Sequence, residues 1–155
     1  MAGHLLQERM ITMAKTGVYP VYDNQFTVGA AADSATPIAD METFSVSFSN
    51  GVEKWTPMDQ EGWERALMTA KSITISVSGK RNIGDTGNDF VAGKYMSNGR
   101  DAEGYFAWQF PDGSKLAFEN AVFDIKNVGS GDSTNVGGLE FDIHSNGKPT
   151  YTKAV

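Results

Sequence analysis

The chain has 155 residues, no cysteine, and 13 basic against 19 acidic side chains, a formal net charge of −6. That length suits one domain. The missing thiols exclude a disulfide framework, a thiolate metal site and a cysteine nucleophile, and so acidic a surface opposes tight binding to a phosphate backbone. Hydrophobic residues at 40% and charged residues at 21% are an ordinary globular balance, which argues against wholesale disorder.

No run approaches the roughly 18 apolar residues of a membrane span. Gln7, Glu8 and Arg9 interrupt the N-terminal apolar stretch before it can serve as an export signal. Leu6, Met10 and Met13 recur at helical spacing, so a short amphipathic turn or helix is expected there. Residues 24–40 are small and polar, and read as a long loop that is either a surface excursion or an arm ordered against a neighbouring subunit. Phe44, Val46 and Phe48 then alternate with Ser45, Ser47 and Ser49, the period of a half-buried strand. Asn50-Gly51 suits a tight hairpin turn, with residues 52–55 as a short return strand.

Asp59 as N-cap, followed by Trp63, Ala66, Leu67 and Ala70 at i, i+3, i+4 and i+7, predicts an amphipathic helix ending near Lys71. Ile73, Ile75 and Val77 mark the next strand, and the Gly/Asn/Asp-rich run 81–89 a loop. Strands are expected at 105–110 and 116–125, with Pro111-Asp112-Gly113 as the turn between them. A second Gly-rich loop spans 129–138; Leu139, Phe141 and Ile143 form another strand, and Asn146-Gly147 turns into a short terminal strand at 150–152. The fold class is mostly β: a sandwich or barrel with one flanking α-helix.

Catalytic signals are sparse. His144 lies beside Asp142 and Ser145, but neighbours along a strand do not converge as a triad, and His4 belongs to the terminal segment. Asp85, Asn88 and Asp89 lack the alternating ligand ladder of a calcium loop and read as turn residues. The Gly-rich loops lack the Lys-Ser/Thr ending of a phosphate loop. No metal, cofactor or enzymatic activity is expected. Trp55, Trp63, Tyr105 and Trp108 leave open a sugar-stacking platform, and with it a carbohydrate-binding β-sandwich module. Charge is uneven: residues 23–64 hold eight carboxylates and one base, Lys54, whereas residues 71–100 hold five bases and two acids. Such a division suits either two solvated faces or subunits meeting head to tail.

Residues 50–95 (NGVEKWTPMDQEGWERALMTAKSITISVSGKRNIGDTGNDFVAGKY) resemble the tail tube, or major tail, proteins of long-tailed phages and prophages of Gram-positive bacteria. Residues 110–152 (FPDGSKLAFENAVFDIKNVGSGDSTNVGGLEFDIHSNGKPTYT) are similar to the C-terminal half of the same family. The resemblance implies a single tail tube domain over 1–155, with residues 1–23 as an N-terminal arm and 24–40 as a long loop, both ordered by assembly. It implies a structural virion protein without an active site, made in the host cytoplasm. Six copies would form a ring, and rings would stack into a hollow tube beside tape measure, tail-tip and tail-terminator proteins. DNA would pass through the lumen without specific binding. Under that reading Glu140 and Asp142, then Glu119 and Asp124, are candidates for an acidic lumen face. Lys80, Arg81, Asp33 and Asp40 are candidates for contacts between subunits or rings.

Overall fold

The computed structural model describes residues 16–154. The spacing of Leu6, Met10 and Met13, and His4 with it, lies outside the described residues. Eight strands form one antiparallel sheet: β1 (Gln25–Gly29), β2 (Thr36–Pro37), β3 (Met41–Trp55), β4 (Arg65–Lys80), β5 (Glu103–Gln109), β6 (Lys115–Val128), β7 (Gly138–His144) and β8 (Thr150–Thr152). Their spatial order is β2-β1-β5-β6-β7-β4-β3, with β8 added against the start of β6. The sheet rolls over on itself. Phe26 of β1 and Phe44 of β3 stand near opposite ends of that order, yet their rings meet edge to face at 5.0 Å. Phe106 stacks on Phe26 at 5.5 Å, and Phe123 on Phe141 at 6.5 Å.

The alternation read from the sequence explains this core. Ile75, Val77, Leu139, Phe141 and Ile143 are buried, while the residues between them face the other way. Each strand pair is fixed in register by that division, because a one-residue slip would expose the whole apolar set.

The expectations fail chiefly between residues 50 and 92. Asn50-Gly51 does not turn the chain: it lies inside β3, where the pairing with β4 shifts register between Gly51 and Val52. Gly51 faces Ala70 there, and a Cβ on it would stand 3.0 Å from the Ala70 Cβ. The segment 59–71 is not a helix. β4 begins at Arg65, and Leu67, Ala66 and Ala70 pair with Glu53, Lys54 and Gly51 of β3. Helical spacing of four apolar residues was outweighed by a continuous partner strand. The reversal comes later, where Pro57 precedes a 3-10 turn (Met58–Gln60) and Glu61 and Gly62 take φ of 54° and 85°. Trp63, on the apolar face of that expected helix, is 76% exposed.

Among the described residues the α-helix is Thr86–Ala92, starting inside the segment read as a loop. Asp85 caps it by accepting the Asn88 backbone N–H at 3.0 Å. Phe90 meets Phe123 edge to face at 5.7 Å, and Val91 is fully buried. Residues 24–40 hold β1, a 3-10 turn (Ala32–Ser34) and β2, with β1 paired along its length to β5. This stretch is part of the sheet rather than a loop.

A polar cluster fastens the helix to the body. Asn88, fully buried, donates from Nδ2 to the carbonyls of Ala39 (3.1 Å) and Lys80 (3.0 Å) and accepts from Arg81 Nη1 at 2.8 Å. Arg81 also holds Asp89 at 2.8 Å, and that hydrogen bond keeps the Asp89 carboxyl below its usual pKa. Asp40, at φ 64°, accepts the Lys80 backbone N–H at 2.8 Å and the Asn82 amide at 2.7 Å.

Candidate assembly surfaces

Two surfaces stand apart from the core. The first is the outward face of β3, β4, β7 and β6. Pairing across these strands sets residues in transverse rows: Thr43, Ser78, Glu140 and Asn127; Ser45, Ser76, Asp142 and Asp124; Ser47, Thr74, His144 and Val122. The alternation that buries Phe44, Val46, Ile75 and Val77 puts small hydroxyl side chains on the opposite face. Thr43 and Ser78 share a hydrogen bond of 2.8 Å, and Asn127 donates to Glu140 at 3.1 Å. A shallow groove of about 390 Å³ runs over this face, lined by Ser45, Ser76, Ser78, Lys126, Glu140 and Asp142 among others.

Asp124 and Asp142 are direct cross-strand neighbours, an arrangement that is repulsive unless a cation intervenes. Lys126 supplies it at 2.9 Å from Asp124, and His144 Nε2 lies 3.5 Å from the same oxygen. The Lys126 hydrogen bond is the main reason the Asp124 carboxyl titrates below its usual range, and Asp124 in turn raises Lys126. Asp124, Asp142 and His144 present ligand atoms within 4.8 Å of one another. An ion there would have to compete with the Lys126 ammonium for Asp124. His144 meets Thr74 at 3.4 Å, whereas the Ser145 hydroxyl accepts the Ile73 backbone N–H at 2.9 Å, so His144 and Ser145 serve different partners.

Of the four lumen candidates, Glu140, Asp142 and Asp124 are thus on one face. Glu119 lies farther along β6, exposed where the β5–β6 register shifts between Phe118 and Ala121. The contact candidates are scattered. Lys80 pairs with Glu42 at 3.1 Å, Arg81 and Asp40 serve the helix cluster, and Asp33 is exposed on its 3-10 turn.

The second surface was not foreseen. Beyond Phe48 and Ile73, β3 and β4 leave the sheet as a two-stranded ribbon, because the β4–β7 pairing stops at Thr74. At about 3.3 Å per residue the paired part extends roughly 20 Å from the body. Val52 faces Met68 along it, Glu53 faces Leu67, and Trp55 and Arg65 close the pairing. Phe48, Val52, Trp55, Met58, Trp63, Leu67 and Met68 are all exposed. An isolated two-stranded ribbon is marginal in water, and this one carries apolar side chains that the described residues leave exposed. At its foot is a groove of about 630 Å³, floored by Phe48, Met68, Ile73 and Pro149 and flanked by Lys71 and Lys148. Among the described residues the outer edge of β3, 15 residues long, has no strand beside it.

The aromatic residues do not form a common platform. Tyr105 is buried, and Trp108 is wedged against Phe44 and Phe110 with its indole N–H on Asn24 at 2.8 Å. Among the described residues no helix is long and apolar enough to cross a membrane.

No family model matches the chain, and no curated protein matches it. Solved structures do. A chain from the tail of an empty gene transfer agent particle, refined helically with C6 symmetry, superposes with TM-score 0.71 at 20% identity, over 88% of this chain and all of that one. A chain from the virion of a native gene transfer agent particle gives 0.67 at 21% identity, again over 88% and 100%. A chain of the sheath–tube complex of an extracellular contractile injection system gives 0.59 at 16% identity, over 89% and 93%. The chain therefore has the fold found in those phage-like tails and tubes.

Proposed function

We propose that this chain is a structural tail tube subunit whose function is its assembly. The ribbon carries the reading: an apolar two-stranded arm that the described residues leave uncovered is suited to a neighbour, and the fold is shared with chains that are part of tails and tubes. Six copies close a ring, and rings stack into the hollow tail of a long-tailed phage or prophage of Gram-positive bacteria. The free edge of β3 is the natural place for sheets of adjacent copies to join, since pairing removes its exposed N–H and C=O groups. The hydroxyl and carboxylate rows form the lumen wall, with Glu140, Asp142 and Asp124 as its negative charges. DNA slides past such a wall because Lys126 is held by Asp124 and is not free to grip phosphate. The N-terminal arm, with Lys80 and Asp33, adds contacts between copies. The tube grows in the host cytoplasm between tail-tip and tail-terminator proteins, around a tape measure protein, and leaves in the virion.

Negative-stain electron microscopy over a concentration series tests this. Rings or tubes of uniform width are expected. A chain that stays monomeric at every concentration overturns the reading, and glycan binding through Trp55 would then favour a sugar-binding module.

A further inference from the structure

The groove at the foot of the ribbon has an apolar floor and two cationic walls. Lys71 and Lys148 line it, no carboxylate does, and among the described residues neither lysine is in an ion pair. The tip of the same ribbon has the opposite character. Residues 58–64 (MDQEGWE) carry Asp59, Glu61 and Glu64 and no base. Met58 and Trp63 are fully or largely exposed among them. Among the described residues Glu64 is held by a 3.8 Å contact with Lys54, both partners being more than half exposed. The tip is stiffened by its 3-10 turn, the positive-φ pair Glu61-Gly62 and the Trp63 N–H to Gln60 carbonyl bond of 2.9 Å.

We propose that the ribbon tip of one copy seats in the foot groove of the next, with Trp63 on the apolar floor and Glu61 and Glu64 against Lys71 and Lys148. Tip and groove are about one ribbon length apart on each chain, so a copy cannot satisfy its own groove. The contact is head to tail, the kind that closes a ring or propagates a stack. An indole suits the site: it buries some 150–250 Å², and a groove of about 630 Å³ admits it. The charges supply register and exclude a reversed approach, because tip against tip sets carboxylate on carboxylate. This proposal deepens the tail tube reading and rests on it.

Charge exchange tests it. The double variants Glu61→Lys/Glu64→Lys and Lys71→Glu/Lys148→Glu alter only exposed side chains, so each folds with an unchanged thermal midpoint. Each alone should need at least about tenfold more protein than wild type to form rings or tubes, the scale of one unfavourable charged contact. Mixed in equal amounts the two should co-assemble, since each tip then meets a groove of opposite sign. Sedimentation velocity and electron microscopy read all three cases. Double variants that assemble like wild type, or a mixture that does not recover, overturn the tip-in-groove contact and leave the tube reading standing. Wild-type protein that never assembles removes both.

Discussion

Replacing Asn88 by Ala should destabilise the subunit more than any exposed substitution. Its side chain joins three separated pieces of chain: the helix, the strap before β3 through the Ala39 carbonyl, and the end of β4 through the Lys80 carbonyl and Arg81. Two neutral hydrogen bonds contribute about 1 kcal/mol each, and the one from the guanidinium about 1.5–3 kcal/mol. Arg81 retains Asp89 and the Asn82 carbonyl, so the lower part of that range applies. The total is about 4 kcal/mol, a large share of the stability of a domain of this size. At about 2–4 °C per kcal/mol the thermal midpoint should fall by roughly 10 °C. Circular dichroism melts at concentrations where the chain is monomeric measure this directly. Asn88→Asp is the matched control: it keeps the shape and the oxygen facing Arg81 but turns an acceptor toward two carbonyls, so its loss should be at least as large. A fall of less than about 3 °C for Asn88→Ala, with cooperativity intact, would show that the cluster does not fasten the helix.

Further outcomes follow from other parts of the molecule. Gly79→Ala would put a Cβ 2.2 Å from the Asp40 carbonyl oxygen and 2.6 Å from the Met41 Cα; urea titration should show a loss of about 3 kcal/mol or more. Gly51→Ala is tight only against the Ala70 Cβ, at 3.0 Å on the ribbon, and should cost under about 1 kcal/mol. The folded-state pKa of Asp124 lies below its ordinary value of 3.8. Its contribution is therefore fully present above that value and is lost as pH falls through the lower, folded one. Lys126→Met should move the Asp124 midpoint back up toward 3.8, followed by carboxyl carbon NMR; an unmoved midpoint would mean that Lys126 does not hold it. Trp63→Ala should leave the monomer melt within about 0.5 kcal/mol of wild type; if Trp63 seats in a neighbour's groove as proposed, wild-type tryptophan fluorescence should shift to the blue as protein concentration is raised, and the variant should lose that shift.

What could be read from the sequence was decided by how local the cause was. Strands with clean alternation, such as 73–78 and 139–143, were legible because their burial pattern is written in period two. The turn at 111–113 was legible because Gly113 takes a φ of 94° there and Phe110 accepts its N–H at 3.0 Å. The ribbon was not legible. Trp63, Ala66, Leu67 and Ala70 match a helix period by accident, and only the partner strand β3 makes them extended. The better local signal was Pro57 with Glu61-Gly62, which marks a reversal six residues after Trp55 rather than at Asn50-Gly51. The helix Thr86–Ala92 carried a usable sign in Asp85, three residues before the N–H it caps, but Gly84, Gly87 and Asn88 hid it. Among the site residues, Asp124, Glu140 and Asp142 could be placed on one face by parity alone. Placing Glu119 needs the strand register as well, since the extra residue in β6 breaks the count, and no sequence rule announces it.

Because β4 is one unbroken strand from Arg65 to Lys80, the exposed arm and the core share a single backbone. Its bonds to β7, between Thr74 and Lys80, lie across the strand axis. Tension applied to the arm along that axis loads those bonds together in shear, rather than peeling them one at a time. The same pull meets the Lys80 carbonyl and Arg81 at the far end, where Asn88 anchors them. A sideways pull would instead bend the two-stranded arm at its foot, where no third strand braces it. The subunit is therefore braced against stretching along β4 and freest to bend at the foot of the ribbon.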